Sequence, residues 1–405
     1  MNSLPQAQWR DAAGLKAIAS ALTVDGTAPL AVGGAVRDSL LGLPVSDVDL
    51  ATPLIPQNVI ERLQAVGIKA IPTGIDHGTI TAVAGGQNYE ITSFRRDVST
   101  DGRRAIVAFS ADWAEDAKRR DFTINALYAD IVSGEIFDSV GGLADLEKRH
   151  VRFIGNASER IAEDHLRILR YFRFLARFGE SRADEAALSA CAAARGSLKS
   201  LSRERIASEL TRLLALPRPE LAVQLMIDSG IFEAFMPELA VDANDRMLKL
   251  VKKEACCSVA PSMAARLLSL LPPVAETVEA IARRLKFSNR LRKDLLIRIA
   301  EQNVGPANIR ALAYHHGIEA ARDAAMLFAG DGTLDKCLTL LGGWLPPAFD
   351  LKGGELIKMG LVSGPVVAAT LQAIEAKWID ESFPDDARLR DIAVQAVRDA
   401  RSASI

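Results

Sequence analysis

The sequence predicts an α+β protein in which a mixed α/β segment at the N-terminus is followed by a long all-helical remainder. Three observations carry that prediction. Over roughly the first 140 residues, short β-type runs alternate with Gly, Pro, Asn and Asp turns. Past about residue 142, alanine, leucine and arginine dominate, apolar residues recur every three or four positions, and strand-like runs nearly vanish. The length, 405 residues, exceeds one ordinary core and gives two to four domains at roughly 100–200 residues each.

In chain order, PLAVGG (29–34), DVDLAT (47–52), GTITAVAGG (78–86), YEITSFR (89–95) and EIFDS (135–139) read as strands. The third and fourth outline a hairpin with Gly85, Gly86, Gln87 and Asn88 at its turn. The charged, glycine-containing stretch DVSTDGRRA (97–105) reads as a mobile, exposed loop. The helical remainder breaks at LPRPE (216–220), MPEL (236–239), LPP (271–273) and GGWLPP (342–347).

Composition excludes several classes. At 49% hydrophobic, 25% charged and a mean hydropathy of +0.11, the chain is neither disordered nor collagen-like. No stretch reaches the roughly 18 uninterrupted apolar residues of a membrane span, and the N-terminal MNSLPQAQWRDAAG shows no apolar core of a secretory signal. Cys191, Cys256, Cys257 and Cys337 have no C-x-x-C spacing, which argues against a zinc ribbon or redox dithiol and for a reduced, cytoplasmic protein. Forty-nine basic residues against 51 acidic leave −2, so a nucleic-acid partner, if any, is met by local fields rather than total charge.

Five segments carry chemistry. In LAVGGAVRDSLLG (30–42) a strand runs into Gly33-Gly34 and then into an amphipathic helix bearing Arg37 and Asp38. Glycines let a backbone approach a bulky anion, and Arg37 offers a forked donor to phosphate oxygens. The same pattern fits a tight strand-to-helix turn with Arg37 paired to a carboxylate. In VSDVDLAT (45–52), strand alternation puts Asp47 and Asp49 on one face, where a hard divalent cation would relieve their repulsion; a solvated edge strand is the alternative. Glu90 could add a third carboxylate from a neighbouring strand, or simply point outward.

The fourth segment, EDAKRRDFTINALY (115–128), sets Lys118, Arg119 and Arg120 ahead of Asp121, with Phe122, Ile124 and Leu127 as anchors. Arg120 is its candidate triphosphate contact, against a plain basic turn. In the fifth, AEDHLRILRYFRF (162–174), Asp164, Arg167, Arg170 and Arg173 recur every three residues, beside an apolar stripe of Leu166, Leu169, Phe172 and Leu175. On one helix this array could hydrogen-bond a base edge, although a salt-bridged surface helix is the usual reading of such a pattern.

GGAVRD, DVD, RRDFTINAL and EDHLR, in this order, resemble the class II tRNA nucleotidyltransferases, the CCA-adding enzymes, which stand with the bacterial poly(A) polymerases in the DNA polymerase β-like superfamily. The likeness covers roughly residues 28–210, and RERIASELTRLL (203–214) resembles the family's next helical signature. It implies an N-terminal nucleotidyltransferase head with a small mixed β-sheet (1–141), then an all-α neck (142–215), body (216–300) and RNA-binding tail (301–405). It implies addition of CMP, CMP and AMP to a tRNA 3′ end from CTP and ATP, releasing pyrophosphate, with two Mg²⁺ ions held by Asp47 and Asp49. Gly33, Gly34, Arg37 and Arg120 then contact the nucleotide, and Asp164, Arg167, Arg170 and Arg173 form the binding helix. Asp164 and Arg167 are the family's protein template for the base.

The predicted chemistry is in-line attack of the RNA 3′-hydroxyl on the α-phosphate, with no protein nucleophile. The cationic stretch ARRLKFSNRLRKDLLIR (282–298) contains one acid, Asp294, and offers Arg290, Arg292 and Lys293 to RNA phosphates; a solvated helix face is the alternative. Two departures stand out. His165 occupies the place where the family commonly has proline, which would loosen that turn. The chain has no His-Asp dipeptide, so no HD phosphohydrolase domain is expected, and His315-His316 reads as a helix-end pair. No obligate protein partner is evident. Rival readings are a poly(A) polymerase, a CC-only or A-only enzyme, and a non-catalytic RNA-binding scaffold. The segment TGIDHGTIT (73–81) and the loop after Arg95-Arg96-Asp97 favour full CCA addition.

Overall fold

The computed structural model describes residues 3–100, 105–180 and 182–402, apart from the side chains of residues 76, 97–100 and 105–107. The chain divides into two compact units, Met1–Pro237 and Glu238–Ile405, separating within the expected MPEL break.

In the first unit, strands β1 (Leu30–Val32), β2 (Asp49–Thr52), β3 (Lys69–Gly74), β4 (Thr79–Ala84), β5 (Gln87–Ser93), β8 (Tyr128–Asp130) and β9 (Ile136–Phe137) form one sheet. Its order is β3-β4-β5-β2-β1-β8-β9, and the sheet is mixed because β2 and β5 run parallel while the other neighbours are antiparallel. A separate hairpin pairs β6 (Arg95–Thr100) with β7 (Ala105–Phe109). The stretch expected as a loop is therefore largely paired strand, its backbone hydrogen bonds satisfied across the hairpin; residues 101–104 lie outside the described ones. The β4–β5 turn is tighter than expected. Ala84 pairs with Gln87, so Gly85 and Gly86, at φ 58° and 77°, make the whole turn and Gln87 and Asn88 belong to the strand.

Ten helices accompany the strands among the described residues of this unit: α1 (Ala13–Leu22), α2 (Gly34–Leu40), α3 (Pro56–Ala65), α4 (Trp113–Lys118), α5 (Gly142–Glu147), α6 (Ala157–Glu163), α7 (Arg167–Phe178), α8 (Glu185–Ala193), α9 (Arg203–Leu214) and α10 (Glu220–Asp228). Asp112, Asn156, Asp184 and Ser202 cap α4, α6, α8 and α9 by accepting backbone N–H groups. The expected stripe on α7 is buried: Leu169, Phe172 and Leu175, with Leu166 just ahead of the helix, all face the interior. Phe122, wholly buried, packs against Phe153, Phe174 and Tyr171 with ring centroids 4.8, 5.2 and 6.3 Å away. Burial of one such ring stabilises by about 1.5–3 kcal/mol, and this cluster seats α7 on the 121–128 segment.

The second unit is helical: α11 (Ala243–Cys256), α12 (Met263–Ser269), α13 (Ala275–Arg284), α14 (Asn289–Ala300), α15 (Ile309–His316), α16 (Ile318–Phe328), α17 (Asp331–Leu341), α18 (Gly353–Lys358), α19 (Pro365–Asp380) and α20 (Asp386–Ser402). One core gathers Leu250, Ile309, Ala325 and Cys337, and another Leu356, Ile374, Trp378 and Ala393. His315-His316 closes α15, as its position suggested. Among the described residues, no helix is long and apolar enough to cross a membrane.

Candidate active site

The register of the sheet assembles the site. Asp49 opens β2, with Val32 of β1 opposite it on one side and Glu90 of β5 on the other. Paired residues on neighbouring strands share a face, so the two carboxylates are juxtaposed. Asp49 reaches solvent, yet surrounding protein desolvates it and the nearby Glu90 and Asp47 carboxylates repel its charge. Those effects outweigh the pull of Arg120 and push the Asp49 carboxyl up to about 6. Asp47 lies ahead of the strand rather than on it, exposed, with the Ser46 hydroxyl donating to it at 2.8 Å. Among the described residues, no three His, Cys, Asp or Glu side chains converge as a metal cage, so Glu90 neighbours Asp49 without completing one. The oxygen donors and the raised Asp49 carboxyl still fit a hard cation that takes one or two carboxylates and finds its remaining ligands elsewhere.

Val32 leads directly into Gly33, whose φ of 69° is tolerated by glycine and strained for other residues. A Cβ at Gly33 would sit 3.4 Å from the Asn125 carbonyl oxygen and 3.7 Å from Arg120 Nη1, so the turn is closely lined. Arg120 itself is pinned: Nε donates to Tyr128 Oη at 2.9 Å and Nη2 to Asp116 Oδ2 at 3.1 Å, and the Tyr128 ring lies 5.2 Å from the guanidinium carbon. Arg120, the Gly33 turn and Asp49 are therefore brought together.

Arg37 lies behind the same turn, its Nη2 3.8 Å from where a Cβ at Gly34 would sit. It is 5% exposed, its Nε donates to Asp38 Oδ1 at 2.8 Å, its Nη1 donates to Asn125, and its guanidinium stacks 4.1 Å from the Phe178 ring. Its fork serves buried acceptors and braces the turn from the interior. The carboxylate pairing considered for Arg37 is the one the structure realises, in the interior rather than on the surface.

Asp164, Arg167, Arg170 and Arg173 are likewise close together but not on one helix. Asp164 is extended (φ −149°) between α6 and α7, and its Oδ1 accepts the Leu166 N–H at 3.0 Å. A capping aspartate ends the helical register that its spacing suggested. Arg205 of α9 donates to Asp164 at 2.8 Å and Arg173 to Glu209 of α9 at 2.6 Å. On the other side, Arg170 Nε donates to Asp121 at 2.7 Å, while Arg167 pairs with Glu163 and donates from Nη2 to the Arg119 carbonyl at 3.0 Å. The array is thus a seam between the 119–121 segment and α9. His165 does not loosen it; its Nδ1 lies 2.9 Å from the Ile161 carbonyl and ties off the end of α6. A cavity of about 290 Å³ lined by Arg96, Glu115, Lys118, Arg119, Arg160 and Glu163 opens alongside.

Sequence reasoning missed Asp116, Tyr128 and Asn125. All three lie within the 115–128 segment, and only their burial, at 1%, 0% and 7% exposed, marks them as partners of the arginines. The cationic stretch 282–298 is more neutral than it reads. Arg292 pairs with Glu279 at 2.5 Å, Arg284 with Glu238, and buried Arg298 with Asp323 at 2.8 Å, acids that lie outside the stretch. Arg290 and Lys293 stay exposed and make no ion pair among the described residues.

Residues 30–152 match the family profile of the poly A polymerase head domain, and residues 183–242 match that of a probable RNA and SrmB-binding site of polymerase A. The mouse mitochondrial CCA tRNA nucleotidyltransferase 1 is 34% identical over 389 residues, spanning 92% of this chain and 88% of that protein. The chain belongs to the CCA tRNA nucleotidyltransferase family. A bacterial member, the CCA-adding enzyme of Streptococcus sanguinis, is 32% identical over 88% of this chain and 90% of its own. Among solved structures, the Bacillus stearothermophilus CCA-adding enzyme in complex with CTP superposes with a TM-score of 0.75 at 26% identity, covering 96% of this chain and 97% of that one. Family membership accounts for the mixed sheet followed by helices and makes this a nucleotidyltransferase.

Proposed function

We propose that this chain adds CCA to the 3′ end of tRNA without a template, transferring CMP, CMP and AMP from CTP and ATP and releasing pyrophosphate. The observation that carries the reading is the parallel register of Asp49 and Glu90 beside the Gly33 turn, with Arg120 acting on both turn and carboxylate. Asp47 and Asp49 would hold Mg²⁺, which when bound lowers the pKa of the RNA 3′-hydroxyl and neutralises the leaving pyrophosphate.

The protein's own part is positioning. Arg120, with Nε and Nη2 fixed, presents a preset donor to the nucleotide next to the carboxylates. Asp164 and Arg167 read the base edge, an acceptor and a donor whose backbones are fixed by the α6–α7 turn and by α7. Residues 1–141 serve as head, 142–215 as neck, 216–300 as body and 301–405 as RNA-binding tail. We infer a reducing, cytoplasmic setting from four cysteines that are all free.

A tRNA transcript lacking its 3′ CCA, incubated with Mg²⁺ and CTP, ATP or both, tests the reading at single-nucleotide resolution. Two additions with CTP and a third only with ATP present establish CCA addition. A long ladder with ATP alone would make this a poly(A) polymerase, and a stop after CC or a lone A would make it a split-function enzyme.

A further inference from the structure

Resting on that reading, we infer that Asp116 is a positioning residue that locks the nucleotide-site cation, the support of the base-reading helix and the root of the β6–β7 hairpin into one geometry. Asp116 sits in α4 and is 1% exposed. Its two oxygens serve different parts of the site. Oδ2 accepts from Arg120 Nη2 at 3.1 Å and from the Tyr128 hydroxyl at 2.5 Å. Oδ1 accepts from Arg119 Nε at 2.7 Å and from the backbone N–H of Arg95 at 3.3 Å.

Each contact leads outward. With Nε and Nη2 held by Tyr128 and Asp116, Arg120 turns Nη1 toward the Gly33 turn. Arg119, tethered by its side chain, offers the carbonyl that receives Arg167 Nη2. Arg95 opens the hairpin, whose base is closed by the Ser110 N–H donating to the Phe94 carbonyl at 2.8 Å. A shift of the hairpin root therefore reaches Arg120 and the Arg167 support through one buried carboxylate. Charge-assisted hydrogen bonds in a desolvated setting are stiff, and loss of a group that orients a contact residue typically costs ten- to a hundredfold in affinity or activity.

The test compares full-length wild type with Asp116→Asn, Asp116→Glu and Tyr128→Phe. Readouts are KM for CTP and ATP on tRNA lacking CCA, tRNA affinity, and calorimetric binding of CTP without tRNA. Asp116→Asn should raise both nucleotide KM values by roughly ten- to a hundredfold. CTP affinity should fall in parallel, while tRNA affinity stays unchanged. Tyr128→Phe should move the same way by a few-fold, and Asp116→Glu should recover part of the loss. Unchanged CTP binding and nucleotide KM in folded Asp116→Asn would overturn the assignment. If that variant fails to fold, unchanged values in Tyr128→Phe overturn it. Wild type that binds CTP but does not extend tRNA would sink the functional reading alone, leaving the calorimetry to judge Asp116.

Discussion

Arg170 of α7 grips Asp121 with two donors, Nε at 2.7 Å and Nη2 at 2.5 Å, and so opens a ladder of polar contacts that returns to its own helix. Asp121 accepts from the Asn125 amide at 3.1 Å, Asn125 accepts from Arg37, Arg37 donates to Asp38, and Asp38 accepts from Arg177 of α7 at 3.1 Å. Arg170 and Arg177 stand two turns apart on one face of the helix. Both ends of α7 are thus keyed to the strand-to-helix turn that borders Asp49, which fixes this helix against the carboxylates.

Breaking the first rung should be costly. Asp121→Ala leaves the Arg170 guanidinium short of its counter-charge, and because Arg170 is 32% exposed and partly solvated the loss should be about 1–3 kcal/mol. Arg170 and the Asn125 amide hold the Asp121 carboxyl down to about 2 against the desolvation that opposes them. A carboxyl lowered in the fold stabilises above its unfolded pKa of about 3.9 and loses that contribution as pH falls through the folded value. The linked stabilisation, about 2 kcal/mol at neutral pH, should fade between about pH 4 and pH 2. Denaturant unfolding of wild type and Asp121→Asn should show a gap at pH 7 that narrows over that window; a gap independent of pH would remove the ion pair as its cause.

Arg37→Lys tests whether that residue braces the fold or touches substrate. Lysine keeps the charge but cannot serve Asp38 and Asn125 at once or stack flat between Phe174 and Phe178. A loss of about 3 kcal/mol corresponds to a fall in melting temperature of roughly 6–12 °C for a unit of this size. Nucleotide KM measured well below that transition should change by less than a few-fold. A large KM rise at unaltered melting temperature would restore the phosphate contact.

The site was legible where chemistry follows local spacing. Gly85-Gly86 marks its hairpin because two consecutive positive-φ residues are needed there, and the Gly33 turn and Asp49 stand where strand patterning puts them. What spacing could not carry is pairing over distance. The Asn125 partner of Arg37 lies 88 residues away, so burial of an arginine on a short amphipathic helix leaves no local trace. The three-residue repeat from Asp164 to Arg173 runs through a capping aspartate, since periodicity is blind to a change in backbone. The acids that quench Arg284, Arg292 and Arg298 come from Glu238, Glu279 and Asp323, outside the stretch whose charge was counted.

That quenching narrows the RNA prediction to two side chains. Arg290→Glu with Lys293→Glu should weaken tRNA binding and lower the salt dependence of the affinity by up to about two counterions, because each phosphate contact contributes roughly one to the slope. Both residues are exposed, so the melting temperature should hold within a degree or two. Anisotropy titrations from 50 to 200 mM salt, about a hundredfold range in affinity for a handful of contacts, would resolve this. An unchanged slope would take this face of α14 out of the RNA footprint.

Asp49→Asn separates chemistry from folding most cleanly. The amide keeps the shape of the side chain while removing the charge that the Glu90 and Asp47 carboxylates oppose. The folded protein should therefore melt no lower than wild type in chelator, and somewhat higher because the repulsion is relieved. Transfer should fall at least about a hundredfold, since the amide would lack the anionic oxygen with which Asp49 would hold Mg²⁺. Affinity for tRNA should stay within about twofold, because backbone phosphates are bound by cations and not by this carboxylate. The added stability that wild type gains from Mg²⁺ with CTP should shrink in the variant, giving a readout independent of turnover. A variant that extends tRNA at the wild-type rate, with its Mg²⁺-dependent stabilisation intact, would remove Asp49 from the catalytic centre and leave the register with Glu90 as a feature of the sheet alone.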